Sequence, residues 1–270
     1  MQKPLFTLLL LFAVAVPTAS AQLVTPRGGA PEILVPVAGS VAGANGTFFR
    51  SDISLINYRG TAQRVFLYWL PQGSSGTAIA PLDVTIPALS GIISEDFVAA
   101  IMHMTGLGAI VIRGVTTTGQ FDTGARLQAT SRIWTPQPNA TTGTNSQSLP
   151  TIGTDDVNAL SLAIVGMRRD DRYRTNVGIV NLDSANVQTY QLRVGNGTST
   201  ELSTVVVQPF SMQQVAIPGV NAAPLQIVVT NISSNRLTPF VAYASSIDNV
   251  TGDSWSSLGF VPSTDQTSTP

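Results

Sequence analysis

The chain has 270 residues, enough for one large or two ordinary domains. Apolar residues make up 43% and charged residues only 11%, less than half the usual share, which suits an extracellular β protein better than a cytosolic enzyme. The formal net charge of −1 gives no electrostatic basis for nucleic-acid binding, and the lack of cysteine removes disulfides and thiol chemistry.

The first residues have the layout of a signal peptide. Lys3 supplies the positive charge, Leu5 to Val16 an apolar stretch too short to span a bilayer, and Ala19-Ser20-Ala21 a small-residue cleavage site. The mature chain is expected to begin near Gln22, and the protein to be secreted, periplasmic or extracellular. No cysteine follows the cleavage site to carry a lipid, and no later run of about 20 apolar residues forms a membrane span.

After a Pro- and Gly-containing lead-in, Ile33 to Val37 reads as a strand. Pro36 predicts that it lies at a sheet edge, where a partner strand could add. The next stretch, Arg50-Ser51-Asp52-Ile53-Ser54-Leu55-Ile56-Asn57, recurs as Arg174-Thr175-Asn176-Val177-Gly178-Ile179-Val180-Asn181. Every pair is identical or related except Ser54 and Gly178. Each copy reads as a strand ended by an Asn suited to a turn. A second strand follows, with Phe66, Tyr68 and Leu70 matched to Tyr190, Leu192 and Val194 as the expected core face.

The correspondence continues through Val84-Ile86 with Val205-Val207, Leu89-Ser90 with Phe210-Ser211, Ile110-Ile112 with Ile227-Val229, and Ala129-Ile133 with Tyr243-Ile247. The offset falls along the chain, as it does when loops shorten and strands do not. Ser94-Glu95-Asp96 before an apolar run predicts a short helix over Glu95 to His103, capped by Ser94.

These elements predict an all-β chain of two tandem Ig-like β-sandwich domains from an internal duplication, with a short helix in the first. The expected bounds are a signal peptide over 1–21, a first domain over 22–135, a breaker-rich linker over 136–156, a second domain over 157–261 and a disordered tail over 262–270. The pattern of strand, Asn turn, alternating strand, Gly turn and strand resembles the Ig-like and fibronectin-type modules of secreted bacterial proteins. That resemblance implies the sandwich fold and carries over no catalytic residue.

Candidate chemistry is sparse. His103 is the only histidine, too few for a two-histidine metal site. Arg50 and Arg174, with Asp52 and Asn176, are either a repeated ligand site or a structural clamp. The run Arg168-Arg169-Asp170-Asp171-Arg172-Tyr173-Arg174 is either a partner patch or a solvated loop. Asp248-Asn249 with Gly252-Asp253, and Asp155-Asp156, could hold calcium or simply make turns. Glycosylation sequons stand at Asn45, Asn139, Asn196, Asn231 and Asn249.

The leading expectation is a non-enzymatic secreted protein in adhesion, cell-surface association or an accessory structural role. It has no cofactor or metal, and its partner is an envelope protein or a polysaccharide. One alternative is a carbohydrate-binding module using exposed Trp69, Trp134 and Trp255. The other is an enzyme with a carboxylate site between the domains, drawn from Glu95, Asp96, Asp122 and Glu201.

Overall fold

The computed structural model describes residues 29–43, 46–137, 141–153, 160–196, 199–217, 219 and 221–261. The expected signal peptide, the C-terminal tail and the Asp155-Asp156 pair lie outside them. The described chain is nearly all β, with several sheets. Its ladders are antiparallel.

The first half holds β1 (Glu32–Ala42), β2 (Phe48–Asn57), β3 (Gln63–Pro71), β4 (Leu82–Ile86), β5 (Gly91–Ser94), α1 (Phe97–Ala100), β6 (Gly106–Val115), β7 (Leu127–Pro136), β8 (Thr144–Ser148) and β9 (Ile152–Gly153). They form one sheet in the order β4-β3-β6-β1-β2-β7-β8, with β5 on β2 and β9 on β1. The second half holds β10 (Ser161–Arg169), β11 (Tyr173–Asn181), β12 (Gln188–Gly195), β13 (Thr200–Val207), β14 (Ser211–Ala216), β15 (Ala222–Asn231), β16 (Phe240–Asp248) and β17 (Ser254–Leu258). They form two sheets, β10-β15-β12-β13 and β14-β11-β16-β17. With β10 to β17 read in place of β1 to β8, the strand neighbours of the two halves agree except at β1 and β2, whose pairing joins the first half into one sheet and has no counterpart between β10 and β11.

β1 is not an edge strand. Glu32 to Val35 pair with Arg113 to Ile110, Ile33 and Leu34 also pair with Gly153 and Ile152, and Ser40 to Ala42 pair with Arg50 to Phe48. Pro36 is accommodated because the ladder shifts between Val35 and Ala38, where a bulge needs no N–H donor. β10 shifts at the matching place, between Ile164 and Met167, with Gly166 at φ +80°. Beyond each bulge a hydroxyl satisfies the crossing strand: Gly39 N–H donates to Ser51 Oγ, and Arg168 N–H to Ser246 Oγ.

Each half encloses its own core. In the first, Ile33, Val35, Ile53, Leu55, Ile110 and Ile112 meet Val65, Leu67 and Trp69. In the second, Tyr190, Leu192 and Val194 face Val177, Ile179, Ile227 and Val229. The inner face of β3 is therefore Val65-Leu67-Trp69, opposite to the face expected. Val65, not Phe66, matches Tyr190. A one-residue slip exchanges the faces of a strand. The alternation could not prevent it here, because both faces of β3 are apolar. The same slip occurs at β7, where Leu127 and Ala129 take the places of Phe240 and Ala242.

The second face is apolar because it is covered. Leu34, Leu70, Ala109 and Val111 from the first half pack on Val180, Met212, Val241 and Tyr243 from the second, making a third core. At roughly 1.5–3 kcal/mol per buried side chain, these eight contribute on the order of 10 kcal/mol before ordering costs. The Ser54/Gly178 mismatch has its cause here: a Cβ on Gly178 would collide with the Tyr243 ring. Tyr243 also donates its hydroxyl to Gln214 Oε1 at 2.9 Å.

Two other expectations change. The helix is one turn, Phe97–Ala100, capped not by Ser94 but by Asp96, whose side chain accepts from Ala99 N–H. Ile101 closes it, and exposed His103 follows at φ 56°. Segment 136–156 is no bare linker, since β8 pairs with β7 and β9 with β1.

Candidate functional site

The repeated stretch ends in a structural clamp. Asn57 and Asn181 are fully buried. Asn57 Nδ2 donates to the carbonyls of Thr61, Ile86 and Pro87, and its Oδ1 accepts from Arg59 N–H. Asn181 repeats this with Asn186, Val207, Gln208 and Asp183. Each side chain thereby ties three segments together, which explains why the Asn closes both copies. Its neighbours differ. Arg59 bonds Asp122 Oδ2 at 2.6 Å, whereas Asp183 accepts from Ala185, Asn186, Gln188, Asn235 and Thr238. Although burial opposes it, these donors hold the Asp183 carboxyl below its ordinary range.

At the other end the copies diverge. Arg50 projects from the outer face of β2. Its guanidinium carbon lies 4.8 Å from the Phe48 ring centre and 5.4 Å from that of Trp134, with Nε 3.5 Å from Asp96 Oδ2. Trp134 Nε1 donates to Glu95 O at 2.9 Å. One strand pair further along, Arg132 pairs with Asp52 at 3.0 Å. This makes a polar-aromatic face on the side of the sheet away from the second half. Arg174 instead donates to Asn249 Oδ1 at 2.6 Å, so the two arginines do not build equivalent sites.

The charged run 168–174 is the β10–β11 turn. Asp170 Oδ1 accepts from the N–H groups of Arg172 and Tyr173. Arg168 and Arg172 flank the Tyr173 ring at 4.9 and 5.2 Å, and Trp255 meets that ring edge-on at 5.5 Å. Trp255 is 37% exposed and donates Nε1 to Gly166 O. It lies on β17, not at the end of the strand equivalent to β7. Arg169 is half-buried opposite Ala222 in the ladder.

Arg172 pairs with Asp248 Oδ2 at 2.7 Å, while Asp248 Oδ1 accepts from Val250 and Thr251 N–H. Arg172 first, then these amides, lower the Asp248 pKa. Both oxygens of the residue weighed for calcium thus face donors. Among the described residues, no three histidine or acidic side chains gather as a metal site. The acids weighed for hydrolysis are scattered: Glu95 and Asp96 follow β5, Asp122 pairs with Arg59, and Glu201 lies on β13. The contact between the halves has an apolar centre flanked by hydrogen bonds from Gly73, Asn145, Ser245 and Ser256, none of them to a carboxylate.

Trp69 is 4% exposed and belongs to the first core, so it is no binding platform. The residues overlooked on its strand are Phe66 and Tyr68, which point outward. Tyr68 packs edge-on against Phe66 and Phe210 at 6.3 and 5.8 Å, and Arg113 stacks on Tyr68 and on exposed Phe121. Reading that face as core hid them. Of the sequons, Asn231 is buried and donates to Gln188, whereas Asn249 is exposed. Comparison of the chain with family models, curated proteins and solved structures finds no match.

Proposed function

We propose that this chain is a secreted, non-enzymatic scaffold protein. In this reading it is built from two tandem Ig-like β-sandwich domains that arose by duplication, and it acts in adhesion or cell-surface association. The matching strand order, the twice-built Asn clamp and the matching bulges support duplication. The observation that carries a scaffold role is the third core: an apolar contact locks the halves into one rigid piece, as a spacer or display protein requires. The scatter of acids and the pairing of Asp52, Asp96, Asp122 and Asp248 with arginines run against hydrolysis. The carboxyl groups with displaced titration, Asp83, Asp122, Asp183 and Asp248, are all lowered, opposite to a general acid.

A second reading, glycan binding, rests on the Phe48-Arg50-Trp134 face, where two rings and a guanidinium held by Asp96 sit on a partly exposed sheet surface. One experiment separates the two. The secreted chain is applied to an envelope fraction and to insoluble polysaccharides, alongside Trp134→Ala and Trp255→Ala. Retention by envelope protein, unchanged in both variants, supports the scaffold. Retention by a polysaccharide that only Trp134→Ala abolishes replaces it with the glycan reading. Reproducible hydrolytic turnover overturns both.

A further inference from the structure

Most sheet edges of this molecule are short, charged or covered. β4 has five residues and carries Asp83, gripped by Arg64 at 2.7 Å. β10 is bulged, and Ala163 is bridged by Phe260. β14 lies against the first half, where Gly73 N–H donates to Met212 O. β8 and β17 hydrogen-bond to each other's surroundings through Ser256 with Ser148 and Asn145 with Thr251. These are the devices by which proteins blunt edges against other chains.

Among the described residues, β13 is neither short, bulged nor covered. It pairs with β12 over all eight residues, from Thr200 to Val207, and ends the sheet order. It contains no Pro, Gly, Lys or Arg, and Glu201 is its only charge. On its outer face Leu202 and Val206 are 61% and 52% exposed, with exposed Thr204 between them.

We propose that β13 is a docking edge whose occupant is β13 of a second copy, paired antiparallel about a two-fold axis at Thr204. The strand's own pattern selects this partner. Outer side chains stay on one face only in an even register. With Thr204 opposite its symmetry mate, each Leu202 faces a Val206, giving two apolar cross-strand pairs around a hydroxyl pair. Glu201 then faces Val207, and the two glutamates lie six residues apart. At about 3.4 Å per residue that is roughly 20 Å, beyond a Debye length in ordinary salt. A parallel pairing in register would set the two carboxylates side by side. Every copy presents the same edge, as an isologous interface requires. The result is a continuous eight-stranded sheet. This assembly does not depend on the scaffold or glycan readings, but it would give either one two binding faces.

The test is sedimentation velocity of the full chain across two decades of concentration, with the double variant Leu202→Lys/Val206→Lys beside it. Both positions are exposed, so the variant should keep the wild-type melting temperature and far-ultraviolet spectrum. The expected result is a doubled mass at high concentration for the wild type and a single-chain mass throughout for the variant. Hydrogen exchange provides a second reading: β13 amides should become protected as the dimer forms and lose that protection on dilution. A wild type that stays monomeric overturns the proposal. So does a dimer that survives the double substitution, or one whose β13 amides exchange equally fast at both concentrations.

Discussion

Tyr190 is fully buried against Phe240, yet its hydroxyl has no hydrogen-bond partner among the described residues. Burial, with the nearby Asp183 carboxylate, pushes its titration far above the ordinary phenol range, so the group stays neutral. A stranded hydroxyl is a desolvation cost. Tyr190→Phe should therefore leave stability unchanged or raise it by up to about 1 kcal/mol in urea unfolding. The acids make the opposite kind of contribution. Asp122, Asp183 and Asp248 titrate lower in the folded chain than their ordinary 3.8. Their stabilisation is complete above that value and lost as pH falls through the folded values. The melting temperature should be insensitive to these groups above about pH 4 and fall below it. Asp248→Asn should flatten the fall in a melting series over acid pH.

At Gly178 a strand records its partner. Gly178→Ser would restore the residue found at Ser54 and drive its side chain into Tyr243, so a loss of roughly 1–3 kcal/mol is expected. Thermal unfolding checks the loss, and faster proteolysis between the halves checks its location. The strands themselves were legible, because Ile53 to Ile56 and Val177 to Val180 carry β-branched residues ended by a buried Asn. The direction of their neighbours was not. Polar alternation marks a strand face only when the other face meets water. β3 meets a core on one side and the second half on the other, so its alternation reads with Trp69 outside and Phe66 and Tyr68 inside. Pro36 misled for a related reason: the bulge that tolerates it is a tertiary feature with no local signature. The binding face was legible in part. Arg50 and Trp134 stood out by type, but Phe48 and Asp96 join them only through sheet pairing. β8 and β9 lay hidden in a segment whose Pro, Gly and Thr content reads as a connector.

Because the third core is as apolar as the two within the halves, the chain should unfold in one cooperative step. Calorimetric and van't Hoff enthalpies should agree, and two separated transitions would show the contact to be weak. Trp69 in the first core and Trp255 on the second half allow the same question to be asked by fluorescence. The contact joins unlike faces: the outer side of β1, β6 and β3 meets the outer side of β11, β14 and β16. Such a joint is head-to-tail, and unless its rotation closes a ring it has no natural end. Repeated, it would climb like a staircase, each unit offering the next the same step. Some of the positions that would form those further steps are polar here. Gln191, Arg193 and Gln226 stand where the first half has Phe66, Tyr68 and Ala109, while Gln128 and Thr130 stand where the second has Val241 and Tyr243. Among the described residues that step is taken once, where the two halves meet.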